Sequence, residues 1–400
     1  MNTTTSVLNV FIDLGSSLIK VCYLYGDRPY ILLMPPHLNT TTERRLKSVI
    51  DANPDSYPED IAWMQVKDQI LSFGSLAQQL GGSPTVKRRK SEVGVYRVLA
   101  VLGILQDSLG LPSQFSCNLG VALPVAEYGD RDAFASQLRE DASQMTFRNN
   151  RLKVSFNVLD VQVEGMGLVR DRRAELIAQS NLVQNIVALM FGHRNLSVLS
   201  FSGSALQLES CTSSGPGFIK AVEVLARELS VEPNVPGLVE IAALGLSSYR
   251  FEGSIQPRDT RLAVAEAKSQ YWLMVQNHLN EVLPGGNFEV IAAGGALPVI
   301  RPELQGYFSS VGLGDRVSYA DKLQKKLIKT LSAEQSTRRK LNADPVLSVR
   351  LLDAFVGMQA LILKSKQSPS SQPTMSKVLP IHSKRAGTGD SVVDRMSEIL

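Results

Sequence analysis

Two stretches of the chain share one pattern, in which an apolar strand runs into a glycine turn and a second strand. The first reads FIDLGSSLIK over residues 11–20, and the second reads VLSFSGSAL over residues 198–206. A short apolar run that is rich in β-branched residues and ends at glycine predicts a buried strand. Because helical sequence follows both units, their recurrence predicts an α/β fold built from two related lobes.

The remaining hydropathy patterns agree with an α/β chain. Residues 115–125 and the stretch FEVIAAGGAL (288–297) indicate further strands, and residues 152–163 hold two strand candidates. Residues 170–190 predict one helix that leads into the second unit. Helices are also predicted over 94–110, 130–141, 217–230, 236–246, 260–283 and 344–364.

Size and composition narrow the class of protein. The 400 residues suffice for two domains, and the net charge of +4 permits a local basic patch without requiring a nucleic-acid partner. Cys22, Cys117 and Cys211 form no C-x-x-C pair and the histidines show no H-x-x-x-H spacing, which argues against a disulfide framework and a zinc site. Without a membrane-span or signal-peptide pattern, we expect a soluble, cytoplasmic protein.

The first glycine turn has the composition of a phosphate site. Asp13 follows an apolar strand, and Gly15 permits a sharp turn from which the N–H groups of Gly15, Ser16 and Ser17 can point at a phosphate. Asp13 can hold Mg²⁺ through water, and Lys20 can reach a β- or γ-phosphate as a point charge. The alternative is an ordinary strand turn with a surface lysine.

A second ligand contact is predicted at AAGGALP. Gly294, Gly295 and Ala296 follow an apolar strand, so the backbone can approach a flat ligand or its ribose. The helix that follows can contribute its N-terminus to anion binding. Tight packing alone also explains a Gly-Gly pair.

The order of these motifs resembles the actin, hexokinase and heat-shock ATPase superfamily. The closer resemblance is to bacterial and archaeal actin-like ATPases of the ParM type, which form filaments that segregate plasmids. LSFGSLAQQLGG (71–82), LGVALPVAEYGDRDAFASQL and DPVLSVRLLDAFVGMQAL are similar to segments of that family, and the resemblance covers residues 8–363. It implies two actin-like (ribonuclease-H-like) lobes around a nucleotide cleft that holds ATP (or GTP) and Mg²⁺.

The second hairpin departs from the family pattern, which begins D-x-G. The matching residues here are Ser200, Phe201 and Ser202, followed by Gly203 and Ser204. A serine hydroxyl carries no charge and cannot act as a base near neutral pH, so losing the acid costs on the order of 10² to 10⁴ in rate. The backbone of Ser202, Gly203 and Ser204 can still cradle a phosphate. We therefore expect nucleotide binding with slow hydrolysis, and whether the chain is an enzyme stays open.

The resemblance also implies a catalytic acid between the lobes. Glu164, in VQVEGMG, matches it best, because Gly165 and Gly167 give the segment the character of a hinge. Glu164 would then orient the attacking water in place of the acid that is missing at Ser200, and Asp13 is the second catalytic candidate, through the magnesium ion. A solvent-facing loop glutamate is the alternative.

The predicted domain division follows from the same resemblance. Residues 1–165 form lobe I, 166–345 form lobe II, 346–364 form a closing helix that packs back on lobe I, and 365–400 form a disordered tail with a possible short terminal helix. The tail is rich in Ser, Pro, Lys and Gly and cannot bury enough apolar surface to fold. Basic stretches at 86–91 and 322–340 indicate either solvated helix faces or contacts to neighbouring subunits, an adaptor or the DNA backbone.

The resemblance implies a filament-forming actin-like protein with a cytomotive, cytoskeletal or plasmid-segregation role. Its expected partners are further copies of itself and a DNA-bound adaptor that contacts the basic patches or the tail. The alternative is a non-catalytic scaffold or filament-capping protein that works independently of nucleotide. A small-molecule kinase of the same superfamily is a third candidate, although no aspartate stands in a suitable context for it.

Overall fold

The computed structural model describes residues 7–83, 90–181, 184–344 and 346–367. The tail from residue 368 and the basic stretch at 86–89 lie outside the described residues, so the predictions made for them stay predictions. None of the described helices combines the length and apolar character needed to cross a lipid bilayer.

Lobe I is built on a nine-stranded mixed sheet. Its strands are β1 (Leu8–Leu14), β2 (Ile19–Tyr25), β3 (Arg28–Met34), β4 (Leu38–Thr41), β5 (Trp63–Val66), β6 (Gln69–Phe73), β7 (Gln114–Leu123), β8 (Met145–Phe147) and β9 (Asn150–Val163). They lie in the order β3-β2-β1-β7-β9-β8-β5-β6-β4, with β1, β7 and β9 parallel. The helices are α1 (Glu43–Ala52), α2 (Gly74–Gln79), α3 (Lys90–Ser108) and α4 (Arg131–Ala142).

Lobe II is built on a six-stranded sheet. Its elements are α5 (Met166–Ala178), β10 (Asn185–Phe191), β11 (Asn195–Ser202), β12 (Ala205–Leu206), β13 (Thr212–Pro216), α6 (Ile219–Glu228), α7 (Leu238–Leu244), β14 (Ser248–Tyr249), β15 (Arg258–Asp259), α8 (Arg261–Val282), β16 (Glu289–Ala293), α9 (Leu297–Ser310), β17 (Val317–Ser318), α10 (Asp321–Leu331) and α11 (Gln335–Ala343). The sheet runs β12-β11-β10-β16-β17, and β13 also pairs with β11. Two further helices close the described chain, α12 (Leu347–Arg350) and α13 (Leu352–Gln367).

The two sheets repeat one topology. In lobe I an antiparallel hairpin, β1–β2, is followed by the parallel strands β7 and β9; in lobe II the hairpin β10–β11 is followed by the parallel strands β16 and β17. The predicted two-lobed α/β fold is therefore confirmed. The topology also makes the β10–β11 turn, rather than the β11–β12 turn, the counterpart of the β1–β2 turn.

The single helix predicted over residues 170–190 is wrong. Helix α5 ends at Ala178, Ser180 takes a left-handed φ of 58°, and the apolar run that follows forms β10. A buried strand of seven residues has no polar face, so its hydropathy pattern cannot be distinguished from that of a buried helix. The two strand candidates at 152–163 are likewise one long strand, β9.

Helix α13 returns the chain to lobe I. The ring of Phe11 in β1 lies between Gly120 of β7 and Gly357 of α13, and a Cβ added at either glycine would lie 2.4 Å from a ring carbon. Phe11 and Phe355 belong to one buried apolar cluster that also includes Leu199 and Ile291 of lobe II. This cluster joins α13 to both lobes, whereas the domain boundaries at residues 165 and 345 stay a prediction.

Candidate nucleotide site

A cavity of about 760 Å³, called the cleft below, lies between the two lobes. Its volume is in the range of small-molecule sites. The β1–β2, β10–β11 and β16–α9 turns line it, together with the two segments through which the chain passes between the lobes. Among the residues predicted from sequence, those that the structure brings to the cleft are Asp13, Gly15, Ser16, Ser17, Lys20, Glu164, Gly294, Gly295 and Ala296.

The β1–β2 turn holds a carboxylate and an ammonium group side by side. Asp13 and Lys20 are direct partners in the hairpin, and their carboxylate and ammonium groups lie 2.5 Å apart. Asp13 is only 6% exposed. A Cβ added at Gly15 would lie 2.2 Å from the carbonyl oxygen of Leu18, so the turn requires glycine there. The predicted arrangement of an aspartate, a sharp turn and a lysine is present.

The β16–α9 turn brings bare backbone to the cleft. Gly294 has a left-handed φ of 111°, and a Cβ there would lie 2.5 Å from the carbonyl oxygen of Phe191. Gly295 packs against the stem of Arg350, where a Cβ would lie 2.9 Å from Cγ. Ala296 donates its N–H to Phe191 and precedes the first turn of α9. The turn therefore ties the β10–β11 hairpin to a helix N-terminus.

The phosphate role predicted for Ser202, Gly203 and Ser204 is corrected by their position. Ser202 pairs with Asn185 at the end of β11 that is remote from the cleft, and the eight residues of this strand span roughly 25 Å. Ser200 is buried in the middle of β11, and its hydroxyl donates to the carbonyl of Ser210 at 3.2 Å. Ser200 is not among the residues that line the cleft.

The hairpin that enters the cleft from lobe II is the β10–β11 turn, whose residues Gly192, His193, Arg194 and Asn195 all line the cavity. A Cβ added at Gly192 would lie 2.8 Å from the carbonyl oxygen of Asn195, so this turn also needs glycine. The signal in the sequence was the glycine that directly follows the apolar run of β10.

The topological repeat identifies the lobe II counterpart of Asp13. Asp13 stands two residues before Gly15, and Met190 stands two residues before Gly192. Met190 lines the cleft, and no carboxylate from lobe II is found among the described lining residues. The lobe II residue that corresponds in topology to Asp13 is therefore the uncharged Met190, not Ser200.

The cleft contains an acid that sequence reasoning missed. Asp353 of α13 is 5% exposed, and its Oδ2 accepts the N–H of Gly165 at 2.9 Å. Burial, with Asp13 and Glu164 nearby, raises the pKa of Asp353 to about 7, although the Gly165 N–H and Lys20 partly offset this. An aspartate in the otherwise apolar run LLDAFVGM was the signal available in the sequence.

A cation enters from the second segment between the lobes. Arg350 donates from Nη2 to the Ser17 hydroxyl at 3.1 Å, and its Nη1 lies 3.9 Å from a carboxylate oxygen of Asp344. Burial, together with the Arg350 guanidinium, lowers the pKa of His193, which disfavours a second positive charge beside Arg350. Arg350 thus supplies positive charge next to the β1–β2 turn.

A metal site made only of protein ligands is absent from the described part of the chain, since no group of three His, Cys, Asp or Glu side chains is placed to hold a cation. Magnesium that accompanies a nucleotide keeps several waters and takes phosphate oxygens as ligands. The buried Asp13 carboxylate fits the part of an acceptor for such waters.

No family model and no curated protein matches the sequence. Solved structures do match along most of its length. The chain is similar to the actin-like protein Alp7A (13% identity, 89% of this chain and 96% of that one, TM-score 0.61) and to ParM of Clostridium botulinum in a 15-stranded filament (14%, 90% and 99%, 0.60). It is also similar to the archaeal actin homolog Ta0583 in complex with ADP (12%, 90% and 99%, 0.57). The chain has the actin-like fold.

Proposed function

We propose that this chain is an actin-like protein that binds ATP (or GTP) with Mg²⁺ in the cleft and assembles into filaments with further copies of itself. The observation that carries the proposal is the convergence of three glycine turns, from both lobes, on one cavity that also holds Asp13 and Lys20. The ParM filament and the ADP complex among the similar structures support it.

Each turn has a distinct part in the proposed complex. The N–H groups of Gly15–Ser17 and of the β10–β11 turn hold the phosphates, and Lys20 neutralises their charge. The nucleoside rests against Gly294–Ala296, where the absence of side chains permits close approach. Asp13 accepts hydrogen bonds from the waters of the magnesium ion, which supplies charge neutralisation to the phosphates when it is bound.

Hydrolysis is proposed to be slow. Glu164 and Asp13 orient the attacking water, but the position at which lobe II would add a carboxylate holds the uncharged Met190. Loss of one group of this kind typically lowers a rate by about 10² to 10⁴. Nucleotide closes the cleft and favours assembly, and slow hydrolysis limits the lifetime of the filament.

The cellular role follows as a further part of the proposal. A cytoplasmic filament of this kind moves or organises cargo, for example by segregating a plasmid or other DNA. The described basic helices α10 and α11 expose Lys325, Lys329, Arg338 and Arg339. Such a surface suits a DNA-bound adaptor, because contacts to phosphate or acidic groups are driven by charge.

A non-catalytic actin-like scaffold is the second candidate, and Met190 is the observation that favours it. A cleft without the lobe II acid can serve as a fixed structural element instead of a switch. This candidate predicts the same assembly, or the same capping of another protein's filament, with and without nucleotide.

Nucleotide titration tests the proposed site. We expect Lys20→Met to weaken the binding of ATP with Mg²⁺ at least about tenfold, because a charge-assisted hydrogen bond is worth roughly 1.5 to 3 kcal/mol. Lys47→Met, at an exposed lysine of α1, serves as the matched control and should bind as the wild type does. Equal affinity of the Lys20 and Lys47 variants would contradict the assignment of the phosphate turn.

A further inference from the structure

Asp353 is a cleft carboxylate that belongs to neither sheet. It lies in the first turn of α13, next to the buried side chains of Leu352 and Phe355. A carboxylate in such apolar surroundings is costly unless hydrogen bonds or charges compensate it. Its partner is the N–H of Gly165, 188 residues earlier in the chain, at 2.9 Å.

The hydrogen bond from the Gly165 N–H to Asp353 fixes the peptide unit that follows Glu164. The N–H of Gly165 belongs to the peptide unit that follows Glu164, so its orientation sets the backbone from which the Glu164 side chain departs. The peptide unit before Glu164 is also held, since the Glu164 N–H donates to the carbonyl of Leu123 in β7 at 2.8 Å. With Gly165 at a left-handed φ of 82°, both peptide planes around Glu164 are fixed at the point where the chain leaves lobe I.

The same helix supports the strand that carries Asp13. Gly357 of α13 packs on the Phe11 ring of β1, two residues before Asp13. Gly167 of α5 packs on Val356 of α13, where an added Cβ would lie 3.2 Å from Cβ of the valine. Helix α13 therefore supports both the strand that carries Asp13 and the turn that carries Glu164.

We propose that Asp353 is a positioning residue of the phosphate site, which holds the Glu164–Gly165 peptide from α13 so that the Glu164 carboxylate is directed at the attacking water. The inference rests on the proposed nucleotide-binding function and deepens it. It gives helix α13 a part in placing a catalytic acid in the cleft. Lobe II has no acid of its own there among the described lining residues, because Met190 holds the corresponding position.

Three substitutions separate the hydrogen bond from the charge. Asp353→Ala removes both. Asp353→Asn keeps an oxygen acceptor at nearly the same place and removes the charge, whereas Asp353→Glu keeps the charge and displaces the acceptor. Asp171→Ala is the matched control, since Asp171 is also partly buried on the neighbouring helix α5 but does not line the cleft.

The measurements are the affinity for ATP with Mg²⁺ and the single-turnover rate of phosphate release at saturating nucleotide. We expect Asp353→Ala and Asp353→Glu to lower the rate about 10- to 100-fold with affinity changed less than about threefold, because a small misplacement of a catalytic group costs rate rather than binding. Asp353→Asn and Asp171→Ala should keep most of the rate. Adding Asp353→Ala to Glu164→Ala should lower the rate no further.

Several results would overturn the inference. They are an unchanged rate in the Ala and Glu variants, an Asn variant as slow as they are, or a double variant slower than Glu164→Ala alone. If Asp353→Ala does not fold, the Asn and Glu variants still test the inference, because only the Glu variant is expected to lose rate. Wild-type protein that binds nucleotide but releases no phosphate would overturn this inference and the proposed hydrolysis while nucleotide binding and assembly stand, whereas wild-type protein that binds no nucleotide would overturn the proposed function as a whole.

Discussion

At the scale of single residues, Asp353 gives the folded protein a specific dependence on pH. Its pKa is about 7 in the folded protein and 3.8 for an ordinary aspartate. Between these values the folded state binds the extra proton, so the carboxyl group's contribution to stability is most favourable below about pH 4. That contribution falls as the pH rises and is lost above about pH 7.

We therefore expect Asp353→Asn to gain stability relative to the wild type as the pH rises. The difference in free energy of unfolding should shift in favour of the variant by on the order of a few kcal/mol between pH 4.5 and pH 8. Urea unfolding of both proteins without nucleotide measures it, and the subtraction removes the contribution of the other titrating groups. A difference that does not change with pH would contradict the environment described for Asp353.

Site residues that are close together in the sequence could be predicted, whereas those that meet only through packing could not. Asp13, Gly15 and Lys20 lie within one hairpin, so their spacing alone brings them together. Asp353 and Gly165 meet only because α13 packs between the lobes, and their separation of 188 residues leaves no pattern in the sequence. A carboxylate within an apolar helix signals a buried acid but does not identify its partner.

At the scale of elements, the second hairpin shows where prediction from sequence fails. The β11–β12 turn repeats the strand, glycine and strand pattern, whereas the β10–β11 turn that enters the cleft is preceded by seven residues without a polar face. Both strands are largely buried, but β11 carries three serines among its apolar residues, whereas β10 is a continuous apolar run after Asn185 that a buried helix would match equally well. The prediction therefore took a turn at the wrong end of β11.

Substitutions in the two turns of lobe II are expected to affect nucleotide affinity differently. We expect Arg194→Ala, in the β10–β11 turn, to weaken the binding of ATP with Mg²⁺ about five- to tenfold, since it removes a cation beside the phosphates. Ser204→Ala, in the β11–β12 turn, should change the affinity less than about twofold. Parallel titrations measure both, and a stronger effect at Ser204 than at Arg194 would restore the assignment made from sequence.

At the scale of the whole molecule, the prediction of two related lobes is confirmed, because each sheet combines an antiparallel hairpin with two following parallel strands. The recurrence that led to this prediction nevertheless matched β1–β2 with β11–β12, whereas the topological counterpart is β10–β11. How the two lobes are joined was harder to predict from the sequence. It depends on the two chain passages at Glu164–Gly165 and near Arg350, and on the apolar cluster through which α13 contacts both lobes.

In the proposed function, nucleotide in the cleft controls assembly. Negative-stain electron microscopy tests this with the purified protein and magnesium, compared without nucleotide, with ATP and with a non-hydrolysable analogue. We expect filaments only in the two nucleotide conditions, none with Asp13→Ala, and wild-type behaviour with Asp55→Ala, a control at an exposed aspartate. Filaments that form equally in all conditions, or that persist with Asp13→Ala, would contradict the claim and favour the nucleotide-independent scaffold.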